Sequence, residues 1–196
     1  MSTQKTYELK ERAKSQEETR RRIVEATVAL HEEVGPAQTT VAEIARRAGV
    51  SRLTVYNHFP EDADLFAACS ADWIEANPMP DLTEALALED PVERVRAVLE
   101  RLYPWYRGTE RMSLNVRRDR FLLPALDARM SETADAAQTQ LAGMLVPAFR
   151  ARGARAARVE ALVTVALDFW TWHRLKEQGL TDEAAAELMA DAVSSA

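Results

Sequence analysis

The chain is short of several things, and each shortage excludes something. It has one cysteine, Cys69, in 196 residues, so no internal disulfide can form and a reducing compartment suits it. No apolar run approaches the ~20 residues that span a bilayer, and the first residues are too polar for a signal peptide. A cytoplasmic protein with no membrane partner is therefore expected. Three histidines, at positions 31, 58 and 173, are too scattered for a metal site, and no HExxH, CxxC, Walker or Rossmann glycine pattern occurs. No nucleophile elbow and no helical carboxylate–histidine set is present either, so no catalytic residue, metal or cofactor is expected and the chain does not read as an enzyme. Strand-like alternation and hairpin signals are also missing, which leaves an all-α fold.

What is present is unevenly charged. The net charge is −6, yet residues 1–60 hold ten Lys and Arg against eight Asp and Glu, while residues 61–196 hold fifteen against twenty-three. The positive segment ends with the stretch Thr39–Phe59, TTVAEIARRAGVSRLTVYNHF. Thr40 and Glu43 have capping-box spacing, and Val41, Ile44 and Ala45 make an inward stripe at helical period. Gly49 stands where that helix must stop, because a left-handed residue there is cheapest without a Cβ. Ser51 caps a second helix, and Val55 and Phe59 hold it inward. Two short helices across so tight a turn form a helix-turn-helix whose second helix can enter the major groove. Its outward positions are Arg52, Leu53, Thr54, Tyr56, Asn57 and His58, nearly all able to bond base edges or phosphates.

These residues carry a resemblance to the TetR family of bacterial transcriptional regulators. The shared features are a Thr-capped helix, the AGVS turn and a helix ending Tyr-x-His-Phe, here Tyr56, His58 and Phe59. The resemblance implies a homodimer on a palindromic double-stranded DNA operator, nucleoid-associated in a bacterial cytoplasm and most often a repressor. It leaves open a regulator without a ligand and an activator, and, least expected, a helical dimer that binds no DNA. The implied DNA contacts are Arg20, Thr40, Arg46, Ser51, Arg52, Leu53, Thr54, Tyr56, Asn57 and His58. Two departures stand out. Leu53 replaces a small or rigid residue, and it can pack on a thymine methyl or fold back onto the first helix. Asp62 occupies the place of a Lys that holds a backbone phosphate in the family. His31 stands where the family has a large apolar residue, and a partly exposed imidazole is expected there.

The expected division is a flexible basic arm over 1–16, a three-helix DNA-binding domain over 17–61 and a helical regulatory and dimerisation bundle over 62–196. The arm holds Lys5, Lys10, Arg12 and Lys14. The first helix is expected from Glu17 to the Gly35–Pro36 stop, and a fourth from Asp62 to Ala76. Glycine and proline punctuate the bundle into helices over 91–108, 111–130 (interrupted near Pro124), 133–152, 154–178 and 181–193. Aromatics near the internal Pro104 can line an apolar pocket for a small hydrophobic or aromatic effector. The candidates are Tyr103, Tyr106, Asn115, Arg118, Phe121, Leu122, Met144, Asp168, Phe169, Trp172 and His173. A penultimate helix apolar on more than one side, with a small-residue last helix, predicts dimerisation through Leu162, Ala166, Trp170, Ala185, Leu188, Met189 and Ala192.

Overall fold

The computed structural model describes residues 2–196, with the backbone alone for 2–6, 8 and 9. Twelve α-helices account for most of the described residues, and none of these is a strand. They divide into two compact units. The first comprises residues up to Asn77 together with Leu114–Arg129; the second comprises Pro78–Ser113 and Met130–Ala196. The sequence placed a boundary at 61/62. The structure moves it past the fourth helix, because that helix contributes Cys69 to the core of the first unit.

In the first unit, α1 spans Ser2–Glu33, α2 Val41–Ala48, α3 Arg52–His58 and α4 Asp62–Ala76. The helix expected to begin at Glu17 thus begins at Ser2, and residues 2–16 are helical where an arm was expected. Nothing in that stretch is a breaker: it has no proline or glycine, and its charged residues suit an exposed helix. The side chain of Lys5 lies outside the described residues. Ile23, Val24, Ala26 and Leu30 of α1 close over Ile44, Ala45 and Ala48 of α2, Val55 of α3 and Phe59. Each large side chain buried here stabilises by roughly 1.5–3 kcal/mol. Cys69 belongs to this core, and burial pushes its thiol up to about 12, so it packs as an inert hydrophobe.

His31 departs from expectation. It is 6% exposed, stacked 5.6 Å from the ring of Phe66 on α4, and burial lowers its pKa to about 4. A flat ring satisfies the stack that an apolar side chain would otherwise fill, so the imidazole is a core residue and neutral near pH 7.

The second unit is built on α6 (Pro91–Gly108), α9 (Ala136–Leu145), α10 (Gly153–Leu167), α11 (Phe169–Glu177) and α12 (Asp182–Ser194), with the short α5 (Thr83–Leu86) against α6. Pro91 opens α6 behind an Asp90 cap, and Pro104 sits inside it. Ala185, Ala186 and Ala190 bring α12 close to α6, whose Val95, Val98, Leu99 and Leu102 face inward. The first unit is completed by Leu114–Arg129, which holds most of α7 (Glu110–Asp119) and α8 (Pro124–Met130), and a π-turn over Ser131–Asp135 in the second unit leads into α9.

Two expected helices are broken. The segment 133–152 ends early, in a 3-10 turn closed by Arg150 in the left-handed region at φ 49°, and Gly153, at φ 56°, opens α10. The segment 154–178 splits at Asp168, whose extended backbone ends α10 and whose carboxylate caps α11 by accepting from the Trp170 amide. The break leaves the last four carbonyls of α10 without helical partners. All four are met: Thr164 by the Gln138 amide, Val165 by the Asp168 N–H, Ala166 by the Tyr103 hydroxyl at 2.8 Å and Leu167 by the Tyr106 hydroxyl at 2.7 Å.

Candidate nucleic-acid interface

The turn between α2 and α3 is assembled by local bonds. The Thr40 hydroxyl accepts from the Glu43 amide at 3.2 Å, and Ser51 accepts from Thr54 at 3.0 Å. Gly49 takes φ 67° and ends α2. Only half of the expected capping box forms. The Glu43 carboxylate turns instead to Arg46, at 2.5 and 3.0 Å, and that hydrogen bond holds its pKa below the usual carboxylate range. Two arginines fasten α2 to α1. Arg47 grips Glu33 through both terminal nitrogens at 2.7 Å, and Arg22 donates to the Ala48 carbonyl at 3.1 Å.

On α3, Val55 is the buried residue, while Arg52, Leu53, Tyr56 and Asn57 are exposed and Thr54 and His58 half-exposed. Leu53 is 68% exposed, so it does not fold back onto α1. Arg52 has no hydrogen-bond or ion-pair partner among the described residues, which leaves its whole guanidinium available to an incoming acceptor. Thr40 and Arg46 are exposed at the two ends of α2.

Arg20 lies 4.8 Å over the Phe59 ring and faces α3 across an open groove of about 580 Å³. Thr54, Asn57 and His58 line one side of the groove; Ala13, Gln16, Glu17 and Arg20 line the other. Ala13 and Gln16 were not among the expected contacts. They share the face of Arg20, seven and four residues before it, so an earlier start for α1 would have revealed them. Asp62 is exposed in the first turn of α4, behind a Glu61 cap residue, where carboxylates favour the helix terminus.

The other expected sites do not assemble as foreseen. Tyr103, Tyr106, Phe169, Trp172 and His173 do gather in the second unit, with ring centroids 5.4–6.3 Å apart. Tyr103, Phe169 and Trp172 are fully buried, and their polar atoms are engaged: the tyrosines with backbone carbonyls, Trp172 with Asp182, Asp168 with the α11 cap. Asp182 also accepts two bonds from Arg107 at 2.8 Å. Met144 is exposed on α9. Asn115, Arg118, Phe121 and Leu122 fall in the first unit instead. There Asn115 donates to the α1 carbonyls of His31 and Glu32, Arg118 donates to the Val34 carbonyl just past α1, and Phe121 and Leu122 are 82% and 68% exposed. Of the expected dimer residues, Ala166, Ala185 and Met189 are spent on the chain's own core, because α12 packs into both α6 and α10. Trp170 and Leu188 are exposed, and Leu162 and Ala192 half-exposed.

The family model described as "Bacterial regulatory proteins, tetR family" matches residues 23–69, which contain α2, α3 and most of the first core. An uncharacterised HTH-type transcriptional regulator of Mycobacterium tuberculosis is 30% identical over 151 residues, 74% of this chain and 75% of that protein. The chain belongs to the TetR family. The HTH-type transcriptional regulator BetI of Yersinia pestis is 34% identical over 83 residues, 41% of this chain, and the match spans 42% of that protein's length. Among solved structures, a TetR-like regulator from Rhodococcus sp. RHA1 shares the fold with a TM-score of 0.59 at 20% identity, over 90% of this chain and 93% of that one. A regulator from Saccharomonospora viridis in complex with choline shares it with a TM-score of 0.52 at 18% identity, over 91% and 95%. The TetR-family match stops at residue 69, short of the polar residues of α7. No described helix is long and apolar enough to cross a membrane.

Proposed function

We propose that this TetR-family chain is a homodimeric regulator of transcription that reads a palindromic operator through α3. The observation that carries the reading is the free Arg52 beside exposed Tyr56 and Asn57 on a short helix pinned by one buried valine. Arg can pair bidentately with guanine and Asn with adenine, and each such pair discriminates by about 1–3 kcal/mol. Arg20, Thr40, Ser51, Thr54 and His58 frame that helix as phosphate contacts, while Arg46 must leave Glu43 to join them. Leu53 meets a thymine methyl. Asp62 supplies no phosphate contact and repels the backbone, so anchoring rests on the α1 and α2 side.

Two copies meet through the outward faces of α10–α12, where Val165, Trp170 and Leu188 expose large apolar side chains. A twofold pair then sets half-sites one turn of DNA or a multiple apart. The regulator is a repressor released by a small hydrophobic or aromatic molecule. Support for an effector comes from the aromatic interior of the second unit and from a neighbour of this fold solved with choline. The effector acts by binding better to a form whose recognition helices no longer match the half-site spacing. One observation favours a second reading, a regulator that takes no ligand: the Tyr103–Trp172 cluster is packed, with both tyrosine hydroxyls and the Trp172 N–H already bonded.

Selection from a randomised duplex pool, followed by anisotropy titration at several salt concentrations, tests the DNA reading. The expected result is an inverted-repeat consensus bound far tighter than random duplex, with affinity falling steeply as salt rises. Equal binding to every duplex overturns it. Tryptophan quenching on titration with small aromatic compounds separates the two regulatory readings.

A further inference from the structure

The end of α1 is closed by side chains distant in sequence. Asn115 donates to the carbonyls of His31 and Glu32 at 2.9 and 2.8 Å, and Arg118 Nη2 donates to the Val34 carbonyl at 3.1 Å. Arg118 Nε is held at 2.6 Å by Asp119, whose other oxygen accepts the Ala37 amide at 2.9 Å. Asp119 is 2% exposed. Burial alone would raise its pKa, but Arg118 and the Ala37 amide outweigh that and keep it ionised. Gly35 passes beneath this network at φ +96°, where a Cβ would stand 2.2 Å from Arg118 Nη2 and 2.5 Å from Asp119 Oδ2. A side chain there would push Arg118 and Asp119 out of place, and few L-residues adopt that backbone. The bonds fall on the few residues that join α1 to the 3-10 turn Pro36–Gln38 and so to the Thr40 cap of α2.

Beside the apolar core that α1 shares with α2 and α3, this corner and the two arginine ties of α2 give the helix-turn-helix its polar attachments to α1. Residues 35–37 are the covalent link from α1 into the turn before α2, so their backbone sets where α2 starts on α1. We infer that Asn115, Arg118 and Asp119 of α7 are positioning residues of the DNA-reading head, which is therefore a discontinuous unit completed from 82 to 84 residues downstream. They touch no DNA. Their role is to hold the α1–α2 corner so that α3 meets the groove in one orientation. This rests on the DNA-reading proposal above for its consequence, though not for the clasp itself.

The test uses the full-length chain as Asp119→Ala, Asp119→Asn and Asn115→Ala. Amide hydrogen exchange across residues 35–40 is followed without DNA. Affinity is then measured for the duplex that wild type selects from a randomised pool and for a random duplex. Asp119→Ala should speed exchange at Ala37 at least tenfold and weaken the selected duplex at least tenfold, leaving the random duplex and its salt dependence unchanged. Asp119→Asn, which keeps an acceptor for Ala37, should rescue most of both. Asn115→Ala should fall between, since it frees two carbonyls and spares the Asp119 bond. Unchanged exchange in Asp119→Ala overturns the clasp. Faster exchange with selected binding intact, or with equal loss on both duplexes, overturns the positioning role. If wild type selects no sequence, the DNA-reading proposal fails, and exchange alone decides the clasp.

Discussion

The Tyr103 hydroxyl on α6 donates to the Ala166 carbonyl, one of four left open where α10 stops. Tyr106, a turn later on α6, does the same for Leu167. These tyrosines are helix caps supplied from a neighbouring helix, and they let the chain break at Asp168 inside a core. Tyr103→Phe keeps the ring and removes the donor, so a buried carbonyl loses its partner. The expected cost is about 1–3 kcal/mol, or a fall in Tm of roughly 2–4 °C per kcal/mol for a chain of this size. Tyr106→Phe should cost a similar amount, with imperfect additivity because the two rings stack 6.3 Å apart. Thermal melts of both variants check this, and an unchanged Tyr103→Phe melt removes the capping account.

The break at Asp168 shows where sequence reading stops. The α2–turn–α3 stretch was legible because its signals are local: Thr40, Gly49 and Ser51 each act within four residues. The fourth helix was legible for the same reason, between Asp62 and Asn77. The interruption at Asp168 has no glycine or proline to announce it, and the hydroxyls that make it tolerable lie more than 60 residues away in the chain. Arg150 in the left-handed region is likewise a non-glycine solution that composition does not suggest. The early start of α1 was missed for the opposite reason. A charged helix has no apolar stripe, so helical periodicity cannot distinguish it from a solvated arm. No local pattern ties Asn115 and Arg118 to the end of α1 and the residue after it; only the fold brings them there.

His31 makes stability depend on pH in a known direction. Its pKa is lowered from 6.5 to about 4 by burial, with Asp119 opposing. Above pH 6.5 both folded and unfolded chains hold it neutral. Below that the unfolded chain takes up the proton first, so stability is lost as pH falls from about 6.5 to about 4, and the loss then levels off. The full effect is on the order of 3 kcal/mol. His31→Phe, which keeps a ring against Phe66, should flatten that part of the curve. Urea denaturation of both proteins between pH 7 and 4 measures the difference, and parallel curves would show that the imidazole is not coupled to folding.

Arg52 and Arg46 should behave differently although both are exposed cations at the proposed interface. Arg52 has no partner among the described residues to give up, whereas Arg46 must break its bonds to Glu43 before it can meet a phosphate. Arg52→Ala should weaken the selected duplex by about 1–3 kcal/mol and relax selectivity at one base position per half-site. Arg46→Ala should cost less and act evenly on all sequences, with a shallower salt slope. Repeating the pool selection with each variant distinguishes them. A relaxed consensus for Arg46→Ala and an unchanged one for Arg52→Ala would reverse the assigned roles.

The proposed dimer face makes a separate demand. Ala166, Ala185 and Met189 hold the chain's own core, so substituting them would unfold the second unit and say nothing about assembly. Val165 and Leu188 are 46% and 47% exposed, and a charge at either can be solvated in a monomer. Carboxylates brought together across a twofold axis meet their own copies, and repulsion is added to lost apolar burial. Val165→Glu with Leu188→Glu should therefore give a monomer by sedimentation velocity, with helical content and melting near wild type. The monomer should lose most of its affinity for the selected inverted repeat, because one half-site cannot recover what two joined heads gain from a high effective concentration. It should bind an isolated half-site as wild type does. A double variant that remains dimeric places the assembly face elsewhere, and α10 and α12 would then need another explanation for their exposed valine and leucine.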